Sequence, residues 1–148
     1  MSDLQELYQE MILDHGRKPR NFGPLEDANH HAVGHNPLCG DHFSVRLRTA
    51  DGIIVDARFE GAGCAISTAS ASMMTQLLKG KSLEEADEIF SRFHELIAGE
   101  GDADDPKLGK LAVFAGVKRF PTRVKCATLA WHTVHAALGG QSDPVSTE

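Results

Sequence analysis

Apolar residues recur every three to four positions at Leu4, Leu7, Tyr8, Met11 and Ile12, which predicts an amphipathic first helix ending near Gly16 and Pro19. The Pro-, Gly- and Asn-containing stretch from Arg17 to Asn29 predicts irregular chain. The period then drops to two. Phe43, Val45, Leu47 and Thr49 alternate with Ser44, Arg46 and Arg48, and Ile53, Val55, Ala57 and Phe59 alternate with Ile54, Asp56, Arg58 and Glu60. Both runs read as half-buried strands, with Ile53, Val55, Ala57 and Phe59 on the inner face of the second. Ala50-Asp51-Gly52 between them supplies hairpin turn chemistry, so the strands pair antiparallel. His31 to Asn36 adds a third, less strongly patterned strand.

After Gly63 the helical period returns. Ile66, Ala69, Met73, Leu77 and Leu78 mark a helix ending near Gly80, with Met73, Met74, Leu77 and Leu78 in the core. Ser82 and Glu85 form a capping box for another helix carrying Leu83, Ala86, Phe90, Phe93 and Ile97. Gly99 to Pro106 is acidic and aperiodic and reads as a loop; Leu111 to Val117 is a short apolar segment. A last helix opens near Thr122 and carries Val124, Ala127, Trp131, Val134 and Leu138, and residues 139–148 read as a flexible tail. This order predicts an α+β domain: a small antiparallel sheet of about three strands with helices packed on one face.

A chain of 148 residues accommodates one core, so residues 1–148 are read as a single domain. A formal charge of −6 argues against a nucleic-acid surface, which is normally basic. No apolar run approaches the roughly 18 residues of a membrane helix, and the acidic, polar Met1–Glu6 segment is unlike a secretory signal. With reduced thiols, these features point to the cytoplasm.

The chemistry lies in three cysteines. Cys64 follows Gly61-Ala62-Gly63 where a strand gives way to a helix, whose N–H groups favour a negative sulfur. Cys126 is read in the first turn of the last helix, with Arg123 and Lys125 adding positive charge. Cys39 stands in a loop between Pro37 and Gly40, with Asp41 two residues on. Singly, each thiol would be a small buried hydrophobe, and Asp41 a turn-forming or helix-capping aspartate. Together, three thiols and a carboxylate make a four-ligand shell for a soft or borderline metal such as zinc, with Lys125 offsetting part of its negative charge. The carboxylate is the weakest member, so such a shell could open without the fold collapsing. The eight histidines are read as surface or hydrogen-bonding groups; His132 and His135 lie three apart on the last helix, and His42 beside the site.

The segments Asn36-Pro37-Leu38-Cys39-Gly40-Asp41, Gly61 to Ser67 and Arg123 to Trp131, with Leu7 to His15 and Pro19 to Gly23, resemble the U-type iron–sulfur cluster assembly proteins. The likeness runs from about Leu7 to Trp131 and is greatest to the SufU branch: Lys125 replaces the histidine that usually precedes the third cysteine in scaffold members, and Ser91 to Phe120 resembles the SufU insertion. The resemblance implies a SufE/IscU-like fold and a Zn2+ protein that accepts persulfide sulfur from a PLP-dependent cysteine desulfurase of the SufS kind. Cys39 would be the acceptor, leaving Asp41, Cys64 and Cys126 on zinc while a partner histidine takes its place. Lys125 and Arg123 would stand near the site or touch the partner. The alternative within the family is a scaffold on which a transient [2Fe-2S] cluster is built and handed on. A downstream scaffold would be a second partner of the sulfur-transfer protein.

Overall fold

The computed structural model describes residues 2–36, 40–98, 105–139 and 145–146. Helix α1 (Ser2–Arg17) leads through an irregular stretch to strands β1 (His30–Asn36), β2 (Asp41–Ala50) and β3 (Ile53–Ala62). Helices α2 (Ala65–Leu78) and α3 (Leu83–Ala98), a 3₁₀ segment (Gly109–Arg119), helix α4 (Pro121–Leu138) and a two-residue strand β4 (Val145–Ser146) complete the order. The sheet runs β3-β2-β1-β4, with antiparallel pairing through β1, β2 and β3 and parallel pairing of β4 to β1. Residues 99–104 of the expected loop and most of the expected tail lie outside the described residues, as do the side chains of Leu4, Leu7 and Tyr8.

The hairpin follows from two residues. Asp51 and Gly52 take φ values of 54° and 77°, the left-handed pair of a type I′ turn, whose twist matches that of the strands it joins. The capping box also forms: Ser82 Oγ accepts from the Glu85 N–H and Glu85 Oε1 from the Ser82 N–H, both at 3.1 Å.

One part of the alternation differs from expectation. Between Arg48 and Thr49 the register jumps from Asp56 to Ile54, leaving Val55 as an extra residue on β3. A bulge reverses the parity of the side chains beyond it. Ile54 is therefore buried and Val55 is 47% exposed, the reverse of the expected assignment, whereas Ala57 and Phe59 point inward as expected.

The inner sheet face (Phe43, Val45, Leu47, Ala57, Phe59) packs against α2 and α4, which contribute Met74, Leu78, Leu129 and Trp131. Each large side chain so buried is worth roughly 1.5–3 kcal/mol. Phe93 of α3 stacks on Trp131 at 4.7 Å and meets Phe114 of the 3₁₀ segment edge-on at 5.9 Å, so the apolar 111–117 stretch closes the core. On the outer face Arg46 pairs with Glu60 at 2.6 Å across the strands. Among the described residues no helix is long and apolar enough to cross a membrane.

Because β1, β2 and β3 alternate in direction, the end of β1, the start of β2 and the end of β3 share one edge of the sheet. Asn36 faces Asp41 and His42 faces Ala62 there. The N-terminus of α2 follows directly, and the early turns of α4 pack beside it.

A candidate metal centre

Asp41 opens β2 at this edge and is 1% exposed. A buried carboxylate needs partners, and both oxygens have one. Oδ1 accepts from the Cys64 N–H at 2.8 Å, and Oδ2 accepts from the Ser67 hydroxyl at 2.6 Å. Cys64 is the N-cap of α2, with extended backbone (φ −69°, ψ 170°), and its sulfur accepts from the Ser67 N–H at 3.5 Å. The helix-terminus setting expected for Cys64 is therefore present, and a thiolate there meets the positive end of α2.

Cys126 requires a correction. Because α4 opens at Pro121, Cys126 is its sixth residue and lies beyond the first turn. Its thiol donates to Thr122 O at 3.5 Å, the carbonyl four residues back, and Asn36 Nδ2 lies 3.8 Å from its sulfur. The helix terminus acts weakly at that depth, so stabilisation of a Cys126 thiolate falls to its immediate donors, Asn36 among them. Arg123 is exposed on the first turn of α4, and Lys125 is half-buried beside Cys126 in the chain.

One oxygen of Asp41 and the sulfurs of Cys64 and Cys126 lie within 4.8 Å of one another. Four ligands around zinc at about 2.3 Å leave neighbouring sulfurs about 3.8 Å apart, so the three atoms need to close by about 1 Å at most. Two sulfurs and a carboxylate oxygen suit a borderline-soft cation. These residues fit zinc. Cys39 lies outside the described residues. The chain places it two residues before Asp41, between the strand ends that carry Asn36 and Asp41.

Among the described residues no other set of three His, Cys, Asp or Glu side chains draws together in this way. The histidines hold other positions. His15 is buried with Nδ1 2.7 Å from Ser72 Oγ, His30 reaches Ala137 O at 3.0 Å, and His31 reaches Ser44 Oγ at 2.6 Å. His94, His132 and His135 surround the Phe90 ring, and His42 is exposed.

Ser67 and Asn36 are residues of the site that sequence reasoning missed. Ser67 binds Asp41, Asn36 adjoins Cys126, and Gly63 leaves room for both Asp41 and Phe43. A Cβ at Gly63 would come within 2.8 Å of the Phe43 ring and 2.9 Å of Asp41 Oδ1. Ser67 was detectable as the residue three beyond a helix N-cap. Asn36 becomes visible only once the hairpin register sets it opposite Asp41.

The NifU-like N terminal domain family model matches residues 7–138. The zinc-dependent sulfurtransferase SufU of Bacillus subtilis (strain 168) is 43% identical over 137 residues, covering 93% of this chain and 92% of that one. The iron-sulfur cluster assembly scaffold protein IscU of Streptococcus pyogenes serotype M1 is 39% identical over 138 residues, covering 93% and 86%. Among solved structures, a putative iron-sulfur cluster assembly scaffold protein for the SUF system from Fervidobacterium islandicum AW-1 superposes with a TM-score of 0.83 at 36% identity, covering 87% of this chain and 94% of that one.

Proposed function

The chain belongs to the NifU-like N-terminal domain family, and from that premise we propose that it is a zinc-dependent sulfur-transfer protein of iron–sulfur cluster assembly. The observation that carries this reading is the convergence of Asp41, Cys64 and Cys126 at one edge of the sheet, in a chain similar to a protein named for zinc-dependent sulfur transfer. Cys39 is the fourth ligand and the sulfur acceptor. Its Cα lies within about 7 Å of that of Asp41 by covalent geometry alone, and the loop position expected from Pro37 and Gly40 in the sequence suits a group that must leave the shell and return. Bound zinc, being redox-inert, keeps such thiols deprotonated without oxidising them.

The transfer is a thiolate displacement. The Cys39 sulfur attacks the outer sulfur of a persulfide on the partner, a PLP-dependent cysteine desulfurase of the SufS kind. A new S–S bond forms on Cys39, the partner's S–S bond breaks, and its cysteine leaves as a thiolate, so no outside oxidant or reductant is needed. Asp41, Cys64 and Cys126 hold the shell while Cys39 is away. Lys125 and Arg123, beside Cys126 in the chain, would offset part of the negative charge of the shell and favour a partner that brings a persulfide anion. The setting is the cytoplasm, where thiols stay reduced.

Metal analysis of the purified protein, paired with a desulfurase assay on wild type and Cys39→Ser, tests the reading. Roughly one zinc per chain is expected, with stimulation lost in the variant. Protein-bound persulfide that persists in Cys39→Ser would place the acceptor elsewhere. The IscU names among the relatives support a second reading, a scaffold for a transient [2Fe-2S] cluster. Protein prepared anaerobically would then absorb visible light, whereas a zinc protein is colourless. Lys125 favours the first reading, because a protonated amine is a poor metal ligand.

A further inference from the structure

A helix N-terminus needs acceptors for its first N–H groups, and α2 obtains one from a different part of the fold. Cys64 at the N-cap takes the Ser67 N–H on its sulfur. The reciprocal bond of a capping box would run from the third helical residue back to the N-cap N–H. Here the carboxylate of Asp41, from β2, takes that place. It accepts from the Cys64 N–H through Oδ1 and from the Ser67 hydroxyl through Oδ2. The hydroxyl is not needed to cap the helix backbone. It is buried and lies 2.6 Å from Asp41 Oδ2 and 3.5 Å from Cys64 Sγ. The close packing of Gly63 and the Phe43 ring leaves little space for the carboxylate to turn away.

We propose that Ser67 is a positioning residue of the metal centre: its hydroxyl, bonded to Asp41 Oδ2, fixes the carboxylate toward the sulfurs of Cys64 and Cys126. The inference rests on the zinc reading above. Each carboxylate oxygen has lone pairs to spare, so one can accept a hydrogen bond and still ligate. The same bond gives Asp41 a place to remain when it is not ligating. The carboxylate then does not stand buried without a partner in the metal-free protein.

The test is a zinc competition titration against a chromogenic chelator, with far-UV circular dichroism confirming the fold of every variant. Ser67→Ala is expected to weaken zinc affinity about 10- to 100-fold, the usual loss when the partner of a metal ligand is removed. Ser67→Thr keeps the hydroxyl and should stay within about threefold of wild type, well short of that loss. In Co2+-loaded protein, Ser67→Ala should move the visible ligand-field bands. If Ser67 works through Asp41, it should add nothing in an Asp41→Ala background. Affinity and spectrum unchanged in Ser67→Ala would overturn the inference while leaving the zinc reading standing. Equal losses with and without Asp41, or a Thr variant as weak as the Ala variant, would overturn it too. Wild-type protein that takes up no zinc would remove both.

Discussion

Asp41→Ala in metal-free protein separates the two tasks assigned to this carboxylate. In the absence of metal, its structural partners are the Cys64 N–H at 2.8 Å and the Ser67 hydroxyl at 2.6 Å. A hydrogen bond to a charged group is worth roughly 1.5–3 kcal/mol, so the gross loss is roughly 3–6 kcal/mol. Alanine also removes a carboxylate held at 1% exposure, whose desolvation costs several kcal/mol and offsets much of that sum. Two donors then remain at the start of α2 without their acceptor, one of them an N-cap backbone N–H. Loss of a cap alone costs about 1 kcal/mol. A net destabilisation of about 2 kcal/mol is expected, equivalent to about 4–8 °C in Tm for a domain of this size.

Urea unfolding in the presence of chelator measures this, followed by the fluorescence of Trp131, the one tryptophan of the chain. Asp41→Asn is the control. Its amide oxygen can still accept from Cys64 N–H, and the Ser67 hydroxyl can turn to accept from the amide. Its metal-free stability should stay within about 1 kcal/mol of wild type, while its zinc affinity falls with that of Asp41→Ala because the anionic ligand is gone. A metal-free Asp41→Ala protein with the wild-type urea midpoint would refute the capping role.

Gly63→Ala should cost about 1–3 kcal/mol in urea unfolding, since a methyl group there runs into Phe43 and Asp41 Oδ1. Zinc affinity should fall with it as Asp41 is displaced, and unchanged affinity would show that the carboxylate has more room than the packing implies. Burial of His132 between α3 and α4, then the neighbouring His94 and His135, holds its imidazole below the ordinary range. The unfolded chain therefore takes up the proton first, and the stability present above about pH 6.5 is lost as pH falls below it. His132→Asn should flatten the fall in urea midpoint between about pH 7 and 5.5 without abolishing it, because burial likewise lowers the pKa of His15. Identical slopes in both proteins would contradict this. Ser70→Ala removes the acceptor of the Trp131 indole N–H at 3.1 Å in the core and should cost about 1–2 kcal/mol, with Trp131 emission shifting in the native state.

The parts of this protein that were legible in its sequence are those whose cause is local. The hairpin turn needs only Asp51 and Gly52 to accept positive φ, and the start of α3 needs only Ser82 and Glu85 at the right spacing. The exposure of Val55 was not legible, because its side was decided by a bulge across from Arg48 and Thr49, a property of two strands together. The depth of Cys126 within α4 turned on where that helix begins, and Pro121 at its first position moved the start one residue earlier than expected.

Asp41 illustrates the difference most fully. From sequence, helix capping and metal ligation stood as rival explanations of one aspartate. The fold makes them compatible, because β2 delivers the carboxylate to the N-terminus of α2, where Cys64, a proposed ligand, is itself the N-cap. A buried carboxylate must be satisfied whether or not a cation is present. A carboxylate that must wait buried before any metal arrives therefore needs a second set of partners within reach. The N-terminus of α2 supplies that set through one backbone N–H and one hydroxyl. This arrangement keeps Asp41 satisfied in the metal-free protein, ready for the ligand role proposed for it.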